Sequence, residues 1–401
     1  MHFSRFAFAP YAREGRRQLG SAKEKNHFFL CTSLALHYLC IIFLLKQITS
    51  AIQKVNNRTT KQTQLYKRLH ILPLLLAIFA LLCLNACQFD RNIFNGNADS
   101  RVRIARYDHL VDDYVNTGNI ALWQKMNTEY PRETRALIEN VLKLGPADKE
   151  GIEDSLRAYY NDPTIVQLRK DIAKKYDRLN VYEKELSCAF ERLEAEYPNF
   201  VVPKIYAQNS AFNQSIVVGD SLIGISLDKY MGTDYPAYKK YFYENQRVTM
   251  EPSRMVQECL FFYLIQQYPY GKTFRTLKFS DWIIHQGKIG WIVAQLVGKD
   301  IIDVAAYQPA TKKWYTQHEK QVWNELKQPR IWNSNDSLLV FSIMKTSDKN
   351  PYFKDAHSRG VGLWIGMRIV DSYMKAHPKV PLDSLLLTKD YAAILNGSNY
   401  R

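Results

Sequence analysis

The sequence predicts an α+β fold dominated by helix, with a small sheet set between two helical regions. Three observations predict it. Apolar residues recur at helical spacing after Asp108, as in Tyr182, Leu186, Phe190 and Leu193 ahead of Pro198. The period changes to two between 203 and 228, where "KIYAQNS" and "QSIVVGDSLIGISLD" carry β-branched and apolar residues around Gly219-Asp220. Helical spacing then resumes, with no repeat and no low-complexity run.

Taken in order, the spacing predicts helices over 109–128, 132–143, 149–160, 163–176 and 179–197. The strands or hairpin of 203–228 come next. Helices over 235–244, 252–268, 279–297, 311–326, 361–376 and 382–395 follow. One folded domain, 108–401, accounts for all of them. The Asn/Gly-rich stretch 88–107 reads as a tether.

Ahead of the tether, residues 65–87 read "LYKRLHILPLLLAIFALLCLNAC". Lys67 and Arg68 supply a positive start, Ile71 to Leu84 an apolar core, and Leu84-Asn85-Ala86-Cys87 the closing box. This resembles a bacterial lipoprotein signal, in which the Cys87 thiol takes the lipid. The competing reading is a transmembrane helix, but the apolar run is short and polar residues follow Cys87 at once. Residues 1–64 include a second apolar run, Phe28 to Leu45. They read as an over-extended gene start or as an extra membrane segment.

Charge and cysteine usage narrow the function classes. The net charge is +15, yet residues 1–69 hold 12 Lys/Arg against 2 Asp/Glu. The folded part is only mildly basic, so a nucleic-acid partner is not expected. The cysteines at 31, 40, 83, 87, 188 and 259 form no C-x-x-C pair, which argues against a thiolate zinc site. Cys188 and Cys259 lie in helical apolar patterns and read as buried thiols.

The stretch "RMVQECLFFYL", 254–264, stands where a zinc peptidase carries H-E-x-x-H. Gln257 and Phe261 occupy the two His slots, and Glu258 the slot of the general base. Further on, Gln286 precedes Gly287, where a third ligand, Glu, is expected. An amide is a poor zinc donor and a phenyl ring is none. Without the peptidase comparison, the same stretch is an amphipathic helix turn with Glu258 solvated or near Arg254.

The strand ending in "GISLDKYMG" (224–232), the helix with Glu258, the helix of 279–297 and the C-terminal "RGVGLWIGMRIVDSYMKAHP" (359–378) together resemble the gliding-motility lipoprotein B (GldB-like) family of Bacteroidota. The resemblance implies a lipid-anchored outer-membrane protein with a gluzincin-like fold. Here it has a vestigial site (Gln257, Glu258, Phe261, Gln286), no metal and no cofactor. It further implies a non-catalytic scaffold with envelope protein partners in the gliding or linked secretion machinery. Two alternatives are a zinc metallopeptidase with unorthodox ligands, using Glu258 as base, and a surface glycan-binding lipoprotein. The second draws on tyrosines such as Tyr235, Tyr238, Tyr241 and Tyr243.

Other candidates have plainer readings. His318-Glu319 reads as a solvated helix face, and His285 as a structural donor. Asp112-Asp113 read as surface. Gly360, Gly362 and Gly366 read as close helix packing.

Overall fold

The first predicted helix breaks at Gly118, whose φ of 65° lies in the left-handed region that glycine enters without steric cost. The computed structural model describes residues 101–271, 276–345 and 352–401. In it Tyr107–Thr117 form α1 and Ile120–Glu129 form α2. Asn119 caps α2 by accepting from Ala121 N at 2.9 Å. Pro131–Arg135 (α3) runs into a π-helical turn, Ala136–Val141. Ile152–Tyr160 (α4), Pro163–Lys175 (α5) and Asn180–Glu196 (α6) follow. Pro131 and Pro163 start their helices, where a missing N–H removes no helical bond.

The sheet has four strands: Ile104–Ala105 (β1), Lys204–Gln208 (β2), Ile216–Gly219 (β3) and Leu222–Ser226 (β4). Their order is β1-β2-β4-β3. The first two pairings are parallel, and β3 returns antiparallel on β4 as a hairpin turning at Asp220-Ser221. β1 falls inside the expected tether, so ordered structure begins earlier than 108. Ile205, Ile223 and Ile225 join the larger core. Tyr206 and Leu222, on the opposite sheet face, join a second core built from α1–α4.

Beyond the sheet come Pro236–Tyr241 (α7), Glu244–Arg247 (α8), Met255–Gln267 (α9) and Phe279–Val297 (α10). Ile301–Ala305 (α11), Pro309–Leu326 (α12), Pro329–Trp332 (α13) and Ser337–Met344 (α14) lead to Val361–Ala376 (α15), Leu382–Leu387 (α16) and Tyr391–Ser398 (α17). The predicted helix 382–395 is therefore two, broken at Thr388–Asp390, where Asp390 caps α17. α11, α13 and α14 are additional. The fold is α+β and predominantly helical.

α10 and α15 cross with their backbones touching. A Cβ on Gly366 would lie 2.0 Å from Ile283 O, and one on Gly287 would lie 2.1 Å from Gly366 C. Gly366 thus serves helix packing, as read from the sequence, and so does Gly362, against Ile343 and Met344; Gly360 instead precedes α15 with φ 72°, a left-handed conformation that glycine enters freely. Among the described residues no helix is long and apolar enough to cross a membrane. Cys87 and the segment 28–45 lie outside the described residues.

Candidate functional site

The site is assembled from the residues that follow β4. Asp228, fully buried, accepts from Ser210 N at 2.7 Å, Ser210 Oγ at 2.8 Å and Phe212 N at 2.6 Å. These bonds hold the turn 210–213, in which Ala211 and Phe212 take φ of 49° and 68°. Such values are uncommon for residues with a Cβ and persist only where neighbours fix them. Burial pushes the Asp228 carboxyl up, against the pull of its three donors. The Phe212 carbonyl, so placed, accepts from Lys229 Nζ at 3.3 Å, and Lys229 lies 4.5 Å from the centre of the Phe242 ring.

Glu258 projects from the first turn of α9 toward this wall. The Tyr230 hydroxyl donates to its Oε2 at 2.7 Å. Burial pushes the carboxyl up to about 7, partly offset by the Tyr230 bond and by Arg254 and Lys229. Glu258 is part-buried rather than solvated. Arg254 is indeed near it, as one of the two sequence-based options has it.

Gln257 is buried and faces Arg254. With its amide oxygen turned toward the guanidinium, Nε, Nη1 and Nη2 lie at 2.8, 2.9 and 2.7 Å. Arg254 also donates to the carbonyls of Asp303 (2.9 Å) and Val304 (2.7 Å) and stacks 3.8 Å from the Tyr307 ring centre. Its donors are satisfied from several sides, which permits a buried guanidinium. Phe261, one turn on, is half-buried against the larger core beside Phe262.

Gln286 on α10 donates to the Tyr270 hydroxyl at 3.1 Å. Its neighbour His285 is buried, 3.1 Å from the Tyr391 hydroxyl through Nδ1, and burial pushes it down to about 3. It is a neutral structural partner, in line with the sequence reading. Lys288 is fully buried and donates to the carbonyls of Leu386 (3.0 Å) and Thr388 (2.8 Å), closing the end of α16.

Gln257, Phe261 and Gln286 are therefore tied to different neighbours, and no bond links them. The donor set here does not fit a divalent metal. Glu258 is the only carboxylate among the four, and two cations, Arg254 and Lys229, already act on it. Among the described residues no group of three or more His, Cys, Asp and Glu is placed to hold a metal ion. Chemically, the arrangement is a desolvated carboxyl with a phenol and an ammonium beside it.

Two sequence readings need correction. Glu319 is not on a solvated face: it accepts from Arg368 Nε (2.9 Å) and the Tyr400 hydroxyl (2.7 Å), while His318 stacks on Trp314. Asp112 is not free surface either, since Arg169, itself buried, donates to it at 2.6 Å. Among the tyrosines, Tyr238 is fully buried and bonded to the Asp228 carbonyl, and Tyr235 donates to Asp171 at 2.8 Å. Among the described tyrosines, only Tyr241 and Tyr243 stand exposed. Cys259 is buried, and burial pushes its thiol up; Cys188 is half-buried.

Residues 90–401 match the family model described as gliding motility protein GldB. No curated protein matches, and no solved structure matches.

Proposed function

Because the chain belongs to the gliding motility protein GldB family, we propose that it is a lipid-anchored, non-catalytic component of the cell envelope. In this reading Cys87 carries the lipid. The folded domain is a binding or scaffolding element for partners in the gliding machinery or the secretion system linked with it, at the outer membrane. The observation that carries the non-catalytic part is the Arg254–Gln257 pairing. A position that would have to hold a dication is instead bonded to a permanent guanidinium. A base such as Glu258 needs a polarised water to act on, and Gln257, Phe261 and Gln286 offer no charged donor for a metal that would polarise it. The order of β4, α9 and α10 around Glu258 supports a peptidase-like ancestry whose chemistry has lapsed.

The test is recovery of partners. The full-length lipoprotein, solubilised in mild detergent after cross-linking in cells, is expected to bring down a reproducible set of envelope proteins. Glu258→Gln should leave that set intact, because Gln still accepts from Tyr230. Recovery of the chain alone, with a peptide-cleaving activity that Glu258→Gln abolishes, would replace this reading by the metallopeptidase one.

A further inference from the structure

The sheet has two outer strands, β1 and β3, and the fold treats their edges differently. An outer strand leaves every second N–H and C=O without a ladder partner. At β1 the helix α6 supplies partners. The Glu183 carboxylate accepts from Ile104 N at 2.9 Å, and just ahead of the strand Ser187 Oγ accepts from Val102 N at 3.0 Å. Arg103 and Arg106 flank the two strand residues with charge. That edge is covered.

At β3 the register shows which groups point outward. Ser226 N donates to Ser215 O at 2.9 Å, so 215 and 226 form a hydrogen-bonded pair. Bonded and non-bonded pairs alternate along an antiparallel ladder. Val217 with Gly224 and Gly219 with Leu222 are therefore bonded pairs; Ile216 with Ile225 and Val218 with Ile223 are not. The backbone N–H and C=O of Ile216 and Val218 thus point away from β4. Gln214 Nε2 donates to Ile216 O at 2.9 Å. Among the described residues nothing bonds the Ile216 N–H or either polar group of the Val218 backbone.

The strand cannot rotate to hide these groups. Ile216 and Val218 pack their side chains on the larger core, and Val217 packs on the second core. Val217, Val218 and Gly219 are only half-buried, and Ile216–Gly219 carries no charge and no proline to repel a neighbour. Unpaired backbone groups at a two-residue spacing match another extended backbone. Four residues are too few to hold a second copy of the chain, since a stable interface takes roughly 20–30 residues a side. We infer that the open edge of β3 binds a short extended segment of a partner protein as a fifth strand. The residue opposite Val218 lies on the same sheet face, where β-branched or aromatic side chains pair best. This rests on the partner-binding reading above and names the form in which a partner is held.

The probe is a fluorescent hexapeptide of alternating threonine and valine, titrated with the full chain in detergent and followed by anisotropy. It should bind saturably, one per chain. The same peptide N-methylated at every residue keeps its side chains, loses its N–H donors and should not bind. Val218→Pro removes an outward N–H and no bond to β4, a position where an edge strand tolerates proline. It should fold and bind the hexapeptide at least about tenfold more weakly, the loss of one hydrogen bond with the proline ring in the way. Val217→Pro, which loses a bond to Gly224, should instead melt well below the wild type. The two peptides are compared on the wild type, so they decide even if Val218→Pro does not fold. The assay needs no natural partner, so its result is separate from the recovery of envelope proteins. The inference is overturned if the hexapeptide does not bind, if the N-methylated peptide binds as well, or if folded Val218→Pro binds unchanged. A wild-type dimer that Val218→Pro splits would give the edge to a second copy and overturn it too.

Discussion

Replacing Glu258 with Gln should stabilise the protein at alkaline pH and leave it unchanged at acid pH. The Glu258 carboxyl, ordinarily titrating at 4.5, is pushed up to about 7. The folded state thus holds a proton that the unfolded state has released over the window between those values. Stability contributed by the protonated carboxyl is present below 4.5 and falls as pH rises through about 7. Each pH unit of separation is worth about 1.36 kcal/mol, so the full loss is roughly 3 kcal/mol. For a domain of this size that corresponds to roughly 5 °C in melting temperature. Gln preserves an acceptor for the Tyr230 hydroxyl but has no charge to desolvate. The assay is thermal unfolding of wild type and Glu258→Gln from pH 4.5 to 8.5. The two should coincide near pH 4.5 and diverge up to about 7, with the variant melting higher. Parallel curves across the range would refute the desolvated carboxyl, and with it the placement of Glu258 against Tyr230.

Three further outcomes are expected. Gly366→Ala should destabilise by about 3 kcal/mol or more, since its Cβ meets the Ile283 backbone carbonyl at 2.0 Å and two helices must separate; an unchanged denaturation midpoint would mean that α10 and α15 do not cross there. Phe261→Ala, at a half-buried ring, should cost less than the roughly 3–5 kcal/mol of a fully buried one, and a melting temperature equal to wild type would place the ring in solvent. Cys87→Ser should leave the precursor uncut or release the protein from membranes; fatty-acid labelling that persists in this variant would count against Cys87 as the lipidated residue.

The periodicities made the long helices legible, and α10 and α15 begin and end where spacing and capping place them. Short elements escaped for physical reasons. β1 has two residues, too few for a period, and is held by pairing with β2. α14 is apolar almost throughout, so its run Leu338 to Met344 shows no amphipathic face, although Asp336 caps it by accepting from Leu338 N. At the site, the R-x-x-Q spacing of Arg254 and Gln257 put both on one helical face, which was a usable signal for their pairing. Their buried setting was not, because it depends on carbonyls of α11 and the ring of Tyr307. Asp228 likewise looked like any acid after a strand. Its burial comes from the turn at 210–213, which contacts it across 16 to 18 residues of sequence.

Metal content separates a non-catalytic domain from a working zinc peptidase. The protein, purified without chelator and with zinc present during growth, is measured by elemental analysis and assayed on unfolded protein substrates. Zinc should be far below one per chain, with no cleavage, because Gln257, Phe261 and Gln286 offer no charged donor while Arg254 and Lys229 flank Glu258. One zinc per chain, removed by chelator together with a peptidase activity and restored on readdition, would contradict it.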